Sequence, residues 1–201
     1  MGTRVTLCIS FIRSTTACAA CAVLLFTAPS ATCAQETPPP AYQSAARTHG
    51  VPASVLFAVA LQESGMTLRG RLIPWPWTLN VAGRPLRYAS RTQACTALRD
   101  ALLHVPPTRI DAGLGQINVG FHGRRVAHPC ALLDPYQNLA LAALILREHY
   151  TPAEDWSIAI GHYHRPAGGE PADRYRHAVQ QHLQRMLGAR ATDMTLSSVL
   201  P

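Results

Sequence analysis

The chain has 201 residues, with 18 arginines, no lysine, 11 acidic residues and a formal net charge of +7. Only 14% of its residues are charged and 48% are hydrophobic, which is typical of a folded domain rather than a disordered chain. The basic surplus favours an anionic partner, but the sequence has no zinc finger, aromatic platform or basic helix that would bind nucleic acid. Composition therefore predicts a folded basic protein without a nucleic-acid partner.

The first residues have the pattern of a secretory signal. Arg4 and Arg13 make the start basic, residues 17–27 form an apolar core, and small residues lead to Ala34. We predict cleavage after Ala34, because the apolar core is shorter than the roughly 20 residues that span a bilayer; an uncleaved anchor is the alternative. The mature protein would then be periplasmic or secreted with a net charge of +5. That charge suits the anionic bacterial cell wall, although a merely soluble basic surface is the alternative.

The predicted signal is residues 1–34. The chain that follows it divides into three predicted segments. They are a flexible leader at residues 35–40, one folded domain at residues 41–188 and a disordered tail at residues 189–201. Cys95 and Cys130 are the two cysteines that remain, and one disulfide is their simplest pairing. Two free buried thiols are the alternative. These cysteines lack the short ligand spacing of a zinc site, so we expect no metal.

The domain is predicted to be mostly α-helical with one short β-hairpin. Apolar periodicity, capping residues and Gly or Pro stops predict helices at about residues 41–49, 52–63, 90–103, 134–150, 151–163 and 171–187. A Thr151–Glu154 capping box would start the fifth of them. The segment between Leu72 and Ser90, around Ala82-Gly83, is predicted to be a short β-hairpin or an extended excursion rather than a helix. Trp75 and Trp77 would either stack on sugar rings or pack this hairpin onto the domain.

Glu63 is the main candidate for chemistry. It ends the apolar helix on the same face as Val59 and Ala60, so its side chain is expected to point at the core or a cleft. Burial and the partial negative charge of a helix C-terminus both disfavour an ionised carboxylate there. We therefore expect the pKa of Glu63 to rise toward neutrality, as a general acid requires. A solvated glutamate at a helix end is the alternative.

Residues 109–118 are predicted to form a glycine-rich polar loop. Gly113 and Gly115 would let the backbone approach a ligand closely, because glycine carries no side chain. The side-chain amides of Gln116 and Asn118 can donate to and accept from sugar hydroxyl and N-acetyl groups. The loop therefore suits a sugar chain, and a plain turn is the alternative.

Several spaced motifs together resemble the lytic transglycosylases of the soluble lytic transglycosylase (SLT) type, which are related in fold to goose-type lysozyme. The motifs are, in order, Glu63-Ser64, Gly113-Leu-Gly-Gln116-Ile-Asn, the helix with Asn138, and Ala159-Ile-Gly-His-Tyr163-His164. The resemblance covers about residues 42–187 and implies a single lysozyme-like helical domain. The chain departs from the commoner family pattern at Gly115, where Met is frequent, and at His164, where Asn usually follows the Tyr. The hairpin region also resembles members associated with conjugative mobile elements.

The resemblance implies cleavage of the β-1,4 bond between N-acetylmuramic acid and N-acetylglucosamine without water. Glu63 would protonate the leaving oxygen and then take the proton of the C6 hydroxyl as that oxygen attacks C1, leaving a 1,6-anhydromuramoyl end. Tyr163 would hydrogen-bond Glu63, and Ser64 would order the helix end beside it. The implied glycan-binding residues are Ser64, Gln116, Ile117, Asn118, Tyr163 and His164. Capping for Ser64, turn chemistry for Asn118 and core packing for Tyr163 are the structural alternatives.

The implied partners are peptidoglycan strands and, by resemblance only, a conjugation or type IV secretion apparatus; no cofactor is expected, and the protein is expected to be a monomer. Two other hypotheses stay open. If Asp111 reached C1 as a second carboxylate, the protein would be a hydrolysing muramidase. We expect Asp111 to brace the loop instead, against Arg109 or a backbone amide. The other hypothesis is a cell-wall-binding assembly protein without turnover.

Overall fold

The computed structural model describes residues 36–188, so the predicted signal, the first leader residue and the predicted tail lie outside the described residues. Within this range the chain is mostly helical, as predicted. The α-helices are α1 (Pro40–His49), α2 (Ala53–Ser64), α3 (Arg91–His104), α4 (Val119–His122), α5 (Pro135–Glu148), α6 (Trp156–His164) and α7 (Glu170–Leu187). Short 3-10 helices lie at Pro107–Arg109, Gly123–Arg125 and Pro129–Leu133. Among the described residues, no helix combines the length and apolar character needed to cross a bilayer.

Helix α2 is the centre of the domain. Every side chain from Val55 to Leu61 is buried, and α1, α5, α6 and α7 all pack against this helix. We expected α2 to bury one face only, and this expectation was too narrow. The helix is surrounded by other elements, as is typical of a helix that is apolar all round. The packing on all sides fixes where the last turn of α2 lies, and Glu63 belongs to that turn.

The predicted hairpin is confirmed and belongs to a larger antiparallel sheet. The strands are β1 (Gly65–Leu68), β2 (Arg71–Pro74), β3 (Thr78–Val81), β4 (Arg84–Arg87), β5 (Ile110–Ala112) and β6 (Ile117–Asn118). Ala82 and Gly83 form the β3–β4 turn with φ of 54° and 87°. The sheet has the order β4-β3-β5-β6. The prediction of a loop over residues 109–118 was too wide, because β5 and β6 pair within it, and the glycine-rich loop is residues 113–116 at the sheet edge. A separate β1–β2 hairpin, which the sequence analysis did not predict, follows α2 directly.

Helix caps decide the boundaries in the second half of the chain. The side chains of Ser90 and Asp134 cap α3 and α5 as predicted. The predicted start of the fifth helix was wrong, because Thr151 and Glu154 form a turn. Helix α6 begins instead at Trp156, where the Asp155 carboxylate accepts a hydrogen bond at 2.6 Å from the Ser157 backbone N–H. An aspartate directly before the apolar run is a better N-cap than a threonine several residues upstream.

The described part of the predicted flexible leader is tied to the domain. The Glu36 backbone N–H donates to the Met186 carbonyl near the end of α7 at 2.9 Å. The Glu36 carboxylate also lies 3.9 Å from the Arg71 guanidinium on β2. At residue 36, therefore, the chain contacts both α7 and the first hairpin.

Cys95 and Cys130 form the predicted disulfide. Their sulfur atoms are 1.96 Å apart and their Cα atoms 5.2 Å apart, across a sequence separation of 35. The bond joins α3 to the 3-10 helix Pro129–Leu133, and these two elements also pack together. The disulfide therefore fixes the segment that leads into α5.

Replacing both cysteines by serine should destabilise the domain by about 4 kcal/mol, because a closed loop of this length restricts the unfolded chain. Urea unfolding of the wild type and of the Cys95→Ser/Cys130→Ser variant measures the difference. Reductant should lower the wild-type stability to the level of the variant and leave the variant unchanged. A wild type that is indifferent to reductant would contradict the expected contribution.

Candidate active site

The carboxyl group of Glu63 is the centre of the candidate site. Glu63 is half-buried in the last turn of α2, and its Oε1 accepts a hydrogen bond of 2.5 Å from the Tyr175 hydroxyl on α7. The prediction that Tyr163 bonds Glu63 was wrong, because the Tyr163 hydroxyl donates to the Gly115 carbonyl at 2.6 Å. Tyr163 still lies close enough for the charge of Glu63 to affect it. The site therefore has two tyrosines with separate roles.

The surroundings of Glu63 favour its protonated form. Desolvation by burial raises its pKa to about 7, the charge of Asp111 adds to the rise, and the Tyr175 hydrogen bond opposes it. Burial also raises the pKa of Tyr175 and of Tyr163 well above the ordinary value, and the charge of Glu63 adds to both shifts. Both phenols are therefore hydrogen-bond donors at neutral pH. A carboxyl group that is half protonated near pH 7 has the property expected of a general acid.

Two fully buried polar side chains hold the glycine-rich loop beside Glu63. Asn138 on α5 donates to the carbonyls of Ala112 at 2.9 Å and Leu132 at 2.8 Å, and it accepts from the Gly115 N–H at 2.7 Å. The Ser64 hydroxyl lies 2.8 Å from the Leu114 carbonyl, so the end of α2 is tied directly to the loop. Buried polar groups of this kind are stable only when they are paired, and these pairs fix the loop position.

Gly115 is required by the approach of Tyr163. A Cβ atom at this position would lie 2.7 Å from the Tyr163 hydroxyl oxygen and 2.8 Å from the Ala142 Cβ, both closer than real contacts allow. A side chain at Gly115 would therefore displace Tyr163 from the loop. This gives a physical reason for glycine at residue 115.

The predicted glycan-binding residues of the loop have mainly structural roles. The Asn118 amide caps α4 and also donates to the Asp111 carboxylate at 2.8 Å, which is the turn chemistry considered as the alternative. The Gln116 side-chain nitrogen donates to the Gly113 and Thr78 carbonyls, which leaves its amide oxygen for a ligand. The side chains of Ser64 and Ile117 are 0% and 2% exposed, so they have no surface with which to contact a glycan.

Asp111 and His164 border the same site. The brace for Asp111 is the Asn118 side chain, not Arg109 or a backbone amide. Burial raises the pKa of Asp111, while its hydrogen bond and the nearby His164 lower it. His164, the exposed last residue of α6, stacks on Tyr175 with ring centres 4.6 Å apart and an angle of 4°. Tyr175 was not among the predicted site residues, and no local motif distinguishes it.

The two tryptophans of the hairpin region pack against each other and against the domain. The Trp75 indole N–H donates to the Tyr88 carbonyl at 2.7 Å, and the Trp75 and Trp77 rings meet edge to face at 5.6 Å. Trp77 also packs on the core. Their contacts support the packing interpretation over sugar stacking.

Neither a metal-binding group among the described residues nor a known relative helps to assign the site. Between residues 36 and 188, no group of three His, Cys, Asp or Glu side chains is placed to hold a metal ion. Comparison of the chain with protein-family models, curated proteins and solved structures gives no match.

Glu63→Gln should stabilise the protein at alkaline pH. Because the folded-state pKa of about 7 exceeds the ordinary 4.5, the wild type loses stability as pH rises between these values, by at most about 3 kcal/mol. The variant lacks this titration, so its stability advantage should grow from about pH 4 to about pH 8. Denaturant unfolding across this range measures it. Glu154→Gln, at an exposed loop carboxylate, is the matched control; it keeps Glu63 and should follow the wild type.

Asn138→Leu should cost at least about 3 kcal/mol, because it leaves the Gly115 N–H and two buried carbonyls without partners. Gln137→Ala, at an exposed position of the same helix, is the matched control and should change stability by less than about 0.5 kcal/mol. Urea unfolding of both variants provides the comparison. Equal stability of the two would show that the buried amide does not hold the loop.

Proposed function

We propose that this protein is a peptidoglycan lytic transglycosylase with a lysozyme-like domain of the SLT type. The observation that carries the proposal is the Glu63 carboxyl group, which accepts a hydrogen bond from Tyr175, has a pKa raised to about 7 and is next to Ser64, which bonds the glycine-rich loop. The spatial arrangement of the four sequence motifs adds support. Hydrogen bonds join the end of α2, the Asn138 side chain and Tyr163 to the same glycine-rich loop. Asp111, the acidic neighbour, is engaged by Asn118.

The first step of the proposed reaction uses Glu63 as an acid. Protonated Glu63 donates its proton to the glycosidic oxygen between N-acetylmuramic acid and N-acetylglucosamine, and the bond from C1 to that oxygen breaks with its electron pair on the oxygen. Because its pKa is raised to about 7, Glu63 is available in the protonated form at neutral pH. The Tyr175 hydroxyl donates to the carboxylate that this step leaves behind, and so stabilises it as charge develops.

The second step uses the same carboxylate as a base. The C6 hydroxyl oxygen of the muramic residue attacks C1, and its proton passes to Glu63, which restores the starting protonation state. No water is consumed, and the product has a 1,6-anhydromuramoyl end. Because the nucleophile is already part of the substrate, its effective concentration is high, and one carboxylate suffices where other glycosidases use two.

The proposed location is the periplasm or the outside of the cell. The Cys95–Cys130 disulfide supports it, since such bonds persist in oxidising compartments. The basic charge suits the anionic wall. We extend the proposal, on the resemblance of the hairpin region, to a local opening of the wall for a conjugation or type IV secretion apparatus.

Digestion of isolated sacculi followed by mass spectrometry tests the proposed reaction. The wild type should release muropeptides with anhydro ends, lighter by one water than hydrolysis products. Glu63→Gln should lower the rate by about 1,000-fold because no other group supplies the proton, and Glu154→Gln should retain wild-type activity.

Other products would support the other hypotheses. Reducing ends would indicate a hydrolysing muramidase, in which Asp111 positions a water or acts as the second carboxylate. Equal clearing of a peptidoglycan zymogram by wild type and Glu63→Gln would remove Glu63 from the mechanism. Binding to sacculi with no clearing by the wild type would indicate an assembly protein without turnover.

A further inference from the structure

The His164 ring covers one face of Tyr175, the tyrosine that donates a hydrogen bond to Glu63. Its imidazole lies parallel to the Tyr175 ring at 4.6 Å, while the Tyr175 hydroxyl donates to Glu63 at 2.5 Å. Three side chains from three helices therefore form one row: His164 from α6, Tyr175 from α7 and Glu63 from α2. Tyr175 is 7% exposed, whereas His164 is exposed, so the imidazole is the member of the row that meets solvent.

We propose that His164 is a positioning residue, which by stacking on Tyr175 holds that phenol against Glu63 and keeps water away from the acid. The inference rests on the proposed function and deepens it. Removing the ring would open one face of Tyr175 to solvent, because the exposed His164 imidazole is stacked directly on that face. Water would then solvate the Glu63 carboxylate and favour ionisation.

The charge state of the imidazole fits this role. The titratable groups that face Glu63 are Tyr175 from α7, Tyr163 from α6 and Asp111 from β5. Those that act on His164 are Asp111 and Arg165, while burial lowers the pKa of His164 below its ordinary value. A neutral ring at pH 7 covers Tyr175 without adding a positive charge that would favour ionised Glu63.

A substrate-contact role for His164 would have a different signature. Its outer face is exposed, so a ring that only touched sugar would affect binding at every pH. A ring that protects Glu63 affects activity at about pH 7 and above, where Glu63 is at least partly ionised, and has little effect at pH 5. The pH dependence of a variant therefore separates the two roles.

The test is a ¹³C NMR titration of the Glu63 carboxyl group in the full chain, with the signal assigned by its loss in Glu63→Gln. His164→Ala should lower the titration midpoint by about one pH unit, whereas His164→Phe, which keeps a stacked ring, should stay within about 0.3 unit of wild type. His162→Ala is the matched control from the same helix, because His162 faces His149, and it should not move the midpoint.

Activity on sacculi should follow the same pattern. At pH 7 His164→Ala should be about five-fold slower than wild type, and at pH 5 nearly equal, since the acid is protonated there in both. An unchanged midpoint in His164→Ala, or an equal loss of rate at both pH values, would overturn the inference. A wild type that titrates as expected but cleaves no glycan would instead reject the proposed function, because the NMR midpoint needs no substrate.

Discussion

The hydrogen bond between Tyr175 and Glu63 joins two helices whose residues are 112 positions apart, and the chemistry of the site depends on it. Desolvation makes the carboxyl group a weak acid, and the phenol limits that effect by stabilising the carboxylate. Desolvation dominates, so the group retains its proton near neutrality and still has a donor waiting when the proton leaves. A group that first donates and then accepts a proton needs both a raised pKa and a hydrogen-bond donor that stabilises its ionised form.

This hydrogen bond requires that α2 does not shift. The helix is apolar on all sides, and its last turn is tied by Ser64 to the loop that Asn138 holds from α5. Apolar packing holds the helix in the domain, but it is a non-directional interaction. The hydrogen bonds of the buried Asn138 amide and Ser64 hydroxyl are directional, and they select a single loop arrangement. Gly115 completes that arrangement, because only a residue without a side chain lets Tyr163 bond the loop backbone.

The sequence predicted features that depend on local patterns. Glu63 at the end of an apolar helix, the turn at Ala82-Gly83 and the Cys95–Cys130 pair were all foreseen, since each is set by neighbouring residues or by simple elimination. Tyr175 was missed as a site residue because its role comes from how α7 packs on α2, which no local pattern encodes.

Side chains with several uses were the other source of error. The amide of Asn118 has the groups that bind a sugar, but a helix start and a neighbouring carboxylate occupy them. The start of α6 was placed at Thr151 because Thr151 and Glu154 have the spacing of a capping box, whereas the cap in the folded chain is Asp155, directly before the apolar run. Burial and distance decide such cases, and both are properties of the folded chain.

The contact between Glu36 and Met186 brings the two ends of the described region side by side. A short linker between these positions would therefore close the chain into a ring without stretching it. New termini could then be opened at the exposed turn around Thr151 and Glu154, which lies between helices and carries none of the site residues. The described region thus lends itself to circular permutation.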